Sequence, residues 1–420
     1  MSEINIHDSN KLIIDKYFNN LTCDEYTESI FTGGQSQADE RLANLDIKGY
    51  SKRRNNVYPA TTRGSSFFSP YIRHGLLNLP EVWKAVENFQ NEDRTKFRDE
   101  LLWQEFSRHL YTILGQNNQK MWNYSVENTN KTVNTSEMNC IQTIENELVE
   151  TGYMVNQTRM WYSSHHSFRA ENNWKEYEDF MFKHLVDGSR FANRLGWQWV
   201  MGGQTGKLYG FAQSQVKNRA PKLCQECNLQ YKCPIQTWPD QSKYEPIEQK
   251  IDYEIKNKFG PTETINSQEK PSVVWLTGES MGDDDPALKA NPELPVIFIF
   301  DNVLLNKIQI STKRINFLLD TLKELALKRN LSVFLGDPKL ILNDYNYAVT
   351  FACVPKYKEI TEIIKPVAEY PTVRLAYPIN FYPLSYTSLK KKIKLTVLEE
   401  NLFLYFYFFI IIYISIQREE

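Results

Sequence analysis

Several stretches of this chain hold side chains whose types and spacing can do chemistry. In TTRGSSFFSPYIRHG, Gly64 frees the backbone for close approach, and Ser65, Ser66 and Ser69 supply hydroxyls at a helix start. Free N–H groups and the helix dipole favour an anion there, which suits a phosphate; an ordinary capped turn uses the same residues. ELLWQEFSRHL sets Glu100 and Trp103 three apart on one helical face. A carboxyl beside an indole can stack on a base and bond its edge; a core tryptophan on an amphipathic helix is the plainer alternative. GYMVNQTRM offers Asn156 and Arg159, and VDGSRFANRLGWQWVMGG follows with Asp187, Ser189, Asn193, Trp197 and Trp199. An Arg159–Asp187 pair can brace a cofactor or simply tie two segments together. LCQECNLQYKCP places Cys224, Cys227 and Cys233 at a spacing that suits zinc or an iron–sulfur cluster, with Cys140 or Cys23 as fourth ligand; reduced structural thiols are the alternative.

The elements that must position these groups fall into two kinds. Residues 30–240 repeat apolar side chains at three- and four-residue steps, as in DELLWQEFSRHLYTIL and WKEYEDFMFKHLVDG, which predicts helices, with Gly188 as a stop. From residue 271 the pattern changes. SVVWLTG, LPVIFIFD, LSVFLGD and YAVTFACV read as buried strands, and STKRINFLLDTLKELALKRN between them as a helix capped by Ser311 or Thr312. Alternation of strand and helix predicts a doubly wound parallel sheet. No GxGxxG is present, so a dinucleotide fingerprint is missing. The expected organisation is a polar leader over 1–29 with a short helix near Leu12–Phe18, a helical domain over 30–240, a polar linker over 241–270, an α/β domain over 271–390 and a hydrophobic tail over 391–420.

The bulk numbers narrow the function classes. The 420 residues suffice for two or three domains, and 41% hydrophobic content is ordinary for a soluble protein. A net charge of −2 gives no global attraction to nucleic acid, so any such binding needs a local basic patch. Six irregularly spaced cysteines make no secreted disulfide framework, and the first twenty residues hold no apolar signal segment, so a cytoplasmic protein is expected. The tail run LFLYFYFFIIIYISI spans only about 22 Å as a helix, against ~30 Å of hydrocarbon. A membrane role is therefore not expected, and a chain end altered by frameshift or truncation is.

Taken in order, the serine cluster, Glu-Leu-Leu-Trp, Asn-x-x-Arg-Met and Asp-Gly-x-x-x-x-Asn-x-x-x-Trp-Gln-Trp resemble the FAD-binding domain of the DNA photolyase/cryptochrome family, over Arg41–Gln213. RLANLDIKGYSKRRNN resembles the segment that opens that domain. SVVWLTGESMGDDDPALKANPELPVIFIFD, STKRINFLLDTLKEL, VFLGDPKLIL and FYPLSYTSLKKKI resemble the family's antenna domain. The resemblance thus implies an all-helical FAD-binding domain followed by a doubly wound parallel α/β domain, the reverse of the family's usual order.

The resemblance also implies roles. Tyr50, Arg54, Ser65, Ser66, Ser69, Arg159, Asp187, Ser189 and Asn193 would bind FAD, the serines at its phosphates and Asn193 at flavin N5. Ser189 stands where the family usually has a second Asp. Glu100, Trp103, Asn156 and Trp199 would receive a flipped pyrimidine dimer, and Trp197 and Trp174 would carry electrons to the flavin, with Trp122 or Trp161 as a third member. An antenna pigment of folate or deazaflavin type is implied but not specified. DNA containing pyrimidine dimers would be the partner, touched by a patch drawn from Arg53, Arg54, Arg63, Arg73, Lys207, Lys217 and Arg219, and the protein would act as a monomer. The implied function is light-driven repair by a deoxyribodipyrimidine photolyase-like lyase; the alternative is a cryptochrome-type photoreceptor that binds FAD without repair.

Overall fold

A computed structural model of the chain describes residues 1–125, 137–169, 173–236, 247–248 and 259–397. The hydrophobic run at 402–416 lies outside the described residues, and so does most of the expected linker. Among the described residues no helix is long and apolar enough to cross a membrane.

The first half is helical, as its periodicity predicts. Helix α1, Asn91–Leu114, turns Phe97, Leu101, Phe106, Leu110 and Ile113 to the core and leaves Glu100, Trp103 and Ser107 along a cavity. Its Asp93 accepts hydrogen bonds from the backbone N–H of Gly49 and Ser51, both at 2.8 Å, which pins the segment carrying Tyr50 and Arg54. Helices α2, Asn156–Ser164, α3, Trp174–His184, and α4, Leu195–Val200, complete the wall.

The second half is a seven-stranded sheet of strands β1, Ser2–Ile4; β2, Ile265–Asn266; β3, Val273–Leu276; β4, Val296–Asp301; β5, Leu331–Gly336; β6, Tyr347–Thr350; and β7, Ala368–Tyr370. Their order is β1-β5-β4-β3-β6-β7-β2, and the five inner strands are parallel. Strand order reverses between β3 and β6, as a doubly wound sheet requires. Helix α5, Thr312–Ala326, is capped by Ser311, whose side chain accepts from Lys313 N–H. Helix α6, Tyr386–Lys392, follows the sheet and packs on α1.

The stretch expected to be a leader belongs to the α/β unit instead. Strand β1 pairs antiparallel with β5, in the register Ser2 with Leu335 and Ile4 with Val333. Ile13, Ile14 and Phe18 are buried, and the Phe18 ring meets Phe300 edge-on at 4.9 Å. Burying each such side chain stabilises by roughly 1.5–3 kcal/mol, which explains why a polar-looking segment docks. Within the expected linker, the described residues Ile265–Asn266 form the opposite sheet edge, antiparallel to β7.

The two halves grip one loop between them. Arg314 of α5 donates from Nε to Leu185 O at 2.7 Å and from Nη2 to Phe182 O. These carbonyls would otherwise belong to a further turn of α3, so the helix ends at His184 and not at Gly188. Gly188 serves close packing: a Cβ there would fall 1.8 Å from Arg314 Nη2. Arg73 donates to Gly188 O at 2.9 Å and pairs with Glu279 at 2.8 Å. The His74 ring nitrogens lie 3.0 Å from Gly278 O and 3.2 Å from Val186 O. Burial pushes the His74 pKa down to about 3, so the ring is neutral near pH 7. The loop so held carries Asp187 and Ser189.

Candidate functional site

A cavity of about 480 Å³ opens beside that loop. Fourteen of the fifteen non-thiol site residues expected from sequence line it: Tyr50, Arg54, Ser65, Ser66, Ser69, Glu100, Trp103, Asn156, Arg159, Asp187, Ser189, Asn193, Trp197 and Trp199. The fifteenth, Trp174, is half-buried behind Trp197, ring centroids 6.5 Å apart and planes tilted by 31°.

One end of the cavity is charged and largely buried. Arg159 Nη2 lies 2.7 Å from Asp187 Oδ2, and its Nε donates to Met154 O at 2.9 Å. Ser189 N–H donates to Asn193 Oδ1 at 2.6 Å, which fixes the Asn193 amide. Ser65 Oγ lies 2.8 Å from the Tyr153 hydroxyl. Burial pushes the Tyr50 and Tyr153 phenols up, so both remain protonated. Gly64 plays another part than the close ligand approach expected of it. A Cβ there would meet the Arg53–Arg54 backbone at 2.9 Å, so glycine lets two protein segments touch.

The mouth is aromatic and acidic. Glu100 Oε1 lies 3.1 Å from Arg54 Nη1 and 3.6 Å from Lys96 Nζ. Trp103 and Trp199 stand nearly perpendicular, centroids 6.4 Å apart. The outer face of Trp103 is covered by Tyr386 of α6, stacked at 4.0 Å with planes 10° apart. The Tyr386 hydroxyl donates to Asp99 at 3.3 Å, and Lys390 pairs with the same carboxylate. Sequence reading missed Tyr386 and Lys96. Tyr386 and Lys390 are four apart, one helical face, which is the signal that could have paired them.

Buried polar atoms with no hydrogen-bond partner among the described residues, on residues lining this cavity, include Arg54 Nε, Trp122 Nε1, Asp187 Oδ1, Trp197 Nε1 and Gln204 Oε1. Leaving such a group unpaired costs about 1–3 kcal/mol. Gathered around one cavity, they suit a polar ligand.

No family model matches the chain. It is 27% identical over 190 residues to a deoxyribodipyrimidine photo-lyase of Agrobacterium fabrum, covering 41% of this chain and 39% of that protein. It is 30% identical over 187 residues to one of Synechococcus sp., covering 40% and 38%. Over this stretch the chain is similar to proteins of the photolyase/cryptochrome family. It spans about two fifths of the length of these curated relatives. A putative mitochondrial cryptochrome DASH of Neurospora crassa is 22% identical over 228 residues, covering 41% of this chain and 30% of that one. A solved class III photolyase from Agrobacterium tumefaciens aligns with a TM-score of 0.41 and 22% identity, over 47% of this chain and 46% of that one.

FAD, the flavin this family implies, fits the residues present. The cavity offers a buried cation–carboxylate pair, a fixed amide, hydroxyls and unpartnered polar atoms.

The remaining expectations divide. Cys224, Cys227 and Cys233 converge with Cys140 around a second, small cavity of about 20 Å³. Burial, then the neighbouring thiols, pushes the Cys140 and Cys224 thiols up. Cys23, the other fourth-ligand candidate, sits elsewhere, its Sγ 3.9 Å from the His184 ring nitrogens. Of the two suggested third tryptophans, Trp122 packs near Phe106 at 6.2 Å and Trp161 against Phe211 at 5.8 Å. Among the basic candidates, Arg54, Arg63 and Arg73 are already paired with Glu100, Glu147 and Glu279.

Proposed function

We propose that this chain is a light-driven DNA-repair flavoprotein, acting as a deoxyribodipyrimidine photolyase-like lyase on pyrimidine dimers. The reading rests on one observation: a charged, largely buried end with the Arg159–Asp187 pair and an aromatic, acidic mouth share a single cavity. The chemistry that bound, reduced FAD would supply is light-driven electron donation to a cyclobutane dimer, with return of the electron once the ring has opened. The chain's own residues do the rest. Arg159 and Asp187 brace the flavin ring, Asn193 and Ser189 meet its edge, and Tyr50, Arg54, Ser65, Ser66 and Ser69 hold the remainder. Glu100 and Asn156 bond the edge of the extruded dimer, while Trp103 and Trp199 wall it and exclude water. Trp197 and Trp174 lead electrons inward from the surface.

In this reading the helical unit is the FAD-binding domain and the α/β unit is the antenna-type domain, in permuted order. Helix α6 places exposed Lys391 and Lys392, followed by Lys394, beside the mouth. Together with Arg53, Lys207 and Lys217 they supply a local patch for DNA phosphates that the net charge does not.

The decisive assay illuminates reduced protein with an oligonucleotide carrying a thymine dimer. Recovered thymines support repair. Flavin photoreduction without recovery supports the photoreceptor reading and ends this one.

The four thiols form a finer part of the proposal. Among the described residues, only Cys23, Asp24 and His184 bring three metal-ligating atoms within 4.8 Å of one another. Sulfurs on one tetrahedral zinc lie about 3.8 Å apart. Cys140, Cys224, Cys227 and Cys233 line one cavity without forming such a group, and of zinc and an iron–sulfur cluster we favour the cluster, which takes thiols too far apart to share one ion. Anaerobically purified protein is expected to contain iron and acid-labile sulfide, both lost in Cys140→Ser with flavin retained. Zinc in place of iron would contradict this assignment.

A further inference from the structure

A third cavity, of about 370 Å³, is lined by Asn55, Gln157, Tyr209, Gln215, Asn218 and Arg219. It adjoins the proposed dimer site on three sides of the chain. Asn55 follows Arg54, Gln157 follows Asn156, and the Tyr209 ring lies 5.3 Å from Trp199. On helix α2 consecutive side chains diverge by about 100°, so Asn156 and Gln157 serve different cavities from one turn.

The chemistry of this lining is specific. It holds four amides, a phenol and a guanidinium, and no carboxylate. Gln157 Nε2 donates to the Tyr209 hydroxyl at 3.2 Å, which leaves its carbonyl oxygen to accept. Arg54 Nη1 donates to Asn55 Oδ1 at 3.1 Å, which leaves the Asn55 amide N–H groups to donate. Gln215 Oε1 is buried with no partner among the described residues. Arg219 forms no ion pair with a described carboxylate.

A bare phosphate would meet acceptors such as Gln215 Oε1, and a metal ion would find no anionic ligand. A planar neutral group with both donors and acceptors on its edge satisfies the set. Asn and Gln amides read base edges in this way, and a tyrosine offers a stacking face.

We propose that this cavity holds the nucleobase next to the lesion on the same strand, with its phosphate at Arg219. The inference rests on the repair reading above and extends it. The protein would read not only the dimer but one flanking nucleotide, and would therefore prefer some sequence contexts.

The test compares dimer-containing single-stranded oligonucleotides in which the 5′ or the 3′ neighbour is an abasic residue. Removing the base on one side is expected to weaken binding about tenfold or more, the scale of one stacked or bidentately bonded base. Removing the other should change little. Gln157→Met with Gln215→Met, at unchanged flavin absorbance, should abolish that difference. Wild-type protein that still prefers dimer DNA but ignores both abasic neighbours would overturn the flanking-base site alone. Protein with no preference for dimer over undamaged DNA would overturn the repair reading and this site with it.

Discussion

Trp197→Phe is expected to abolish light-driven reduction of bound, oxidised flavin. Trp197 is 1% exposed, lines the cavity, and is the residue through which two aromatic branches meet. One runs to Trp174, half-buried and 6.5 Å away by ring centroids. The other runs to Tyr162, 5.9 Å away and nearly perpendicular, and on to Tyr177 at 6.3 Å. The tyrosine branch is a poor exit. The Tyr162 hydroxyl is buried with no partner among the described residues, and burial pushes its phenol up, so an oxidised ring has no described group to take its proton. Phenylalanine at 197 fills much of the indole space but is far harder to oxidise. Flavin absorbance under blue light with an external reductant should then stay at the level of a dark sample. Trp174→Phe should slow the reduction, and Tyr162→Phe should leave it unchanged. Undiminished photoreduction in Trp197→Phe would show that electrons enter by another path.

Glu100→Ala is expected to lower dimer repair about tenfold to a hundredfold while FAD stays bound. The carboxylate sits between Arg54 and Lys96 at the mouth, away from the Arg159–Asp187 end. A hydrogen bond from a charged group contributes about 1.5–3 kcal/mol, and tenfold corresponds to about 1.4 kcal/mol. The loss should appear as fewer dimers split per absorbed photon, measured at saturating substrate. Glu100→Gln keeps an acceptor of the same shape and should retain part of the yield. Equal loss of flavin in Glu100→Ala would place this residue in the cofactor site instead.

Much of this arrangement is legible in the chain itself. Strands β3, β4, β5 and β6 read clearly because burial on both faces leaves short apolar, β-branched runs. Strands β1, β2 and β7 do not, since two or three residues are too few to show a period. The place of β1 is set by a partner hundreds of residues away, as Ser2 with Leu335 shows. The cavity residues were legible as types at fixed spacings, and fourteen of them share one space. Contacts between the halves were not. Tyr386 on Trp103 and Arg314 on the Asp187 loop arise from packing, which local pattern does not encode. The reverse error occurred at Gly64, where a glycine suited to ligand approach instead admits the Arg53–Arg54 backbone.

The central claim is that the cavity beside Asp187 grips FAD, and the visible absorption spectrum of the isolated protein, with added FAD titrated into any apoprotein, tests it most directly. The account predicts a flavin spectrum, or tight saturable uptake of one FAD per chain, weakened sharply in Asp187→Ala. Folded protein that carries no flavin and takes up none would contradict it.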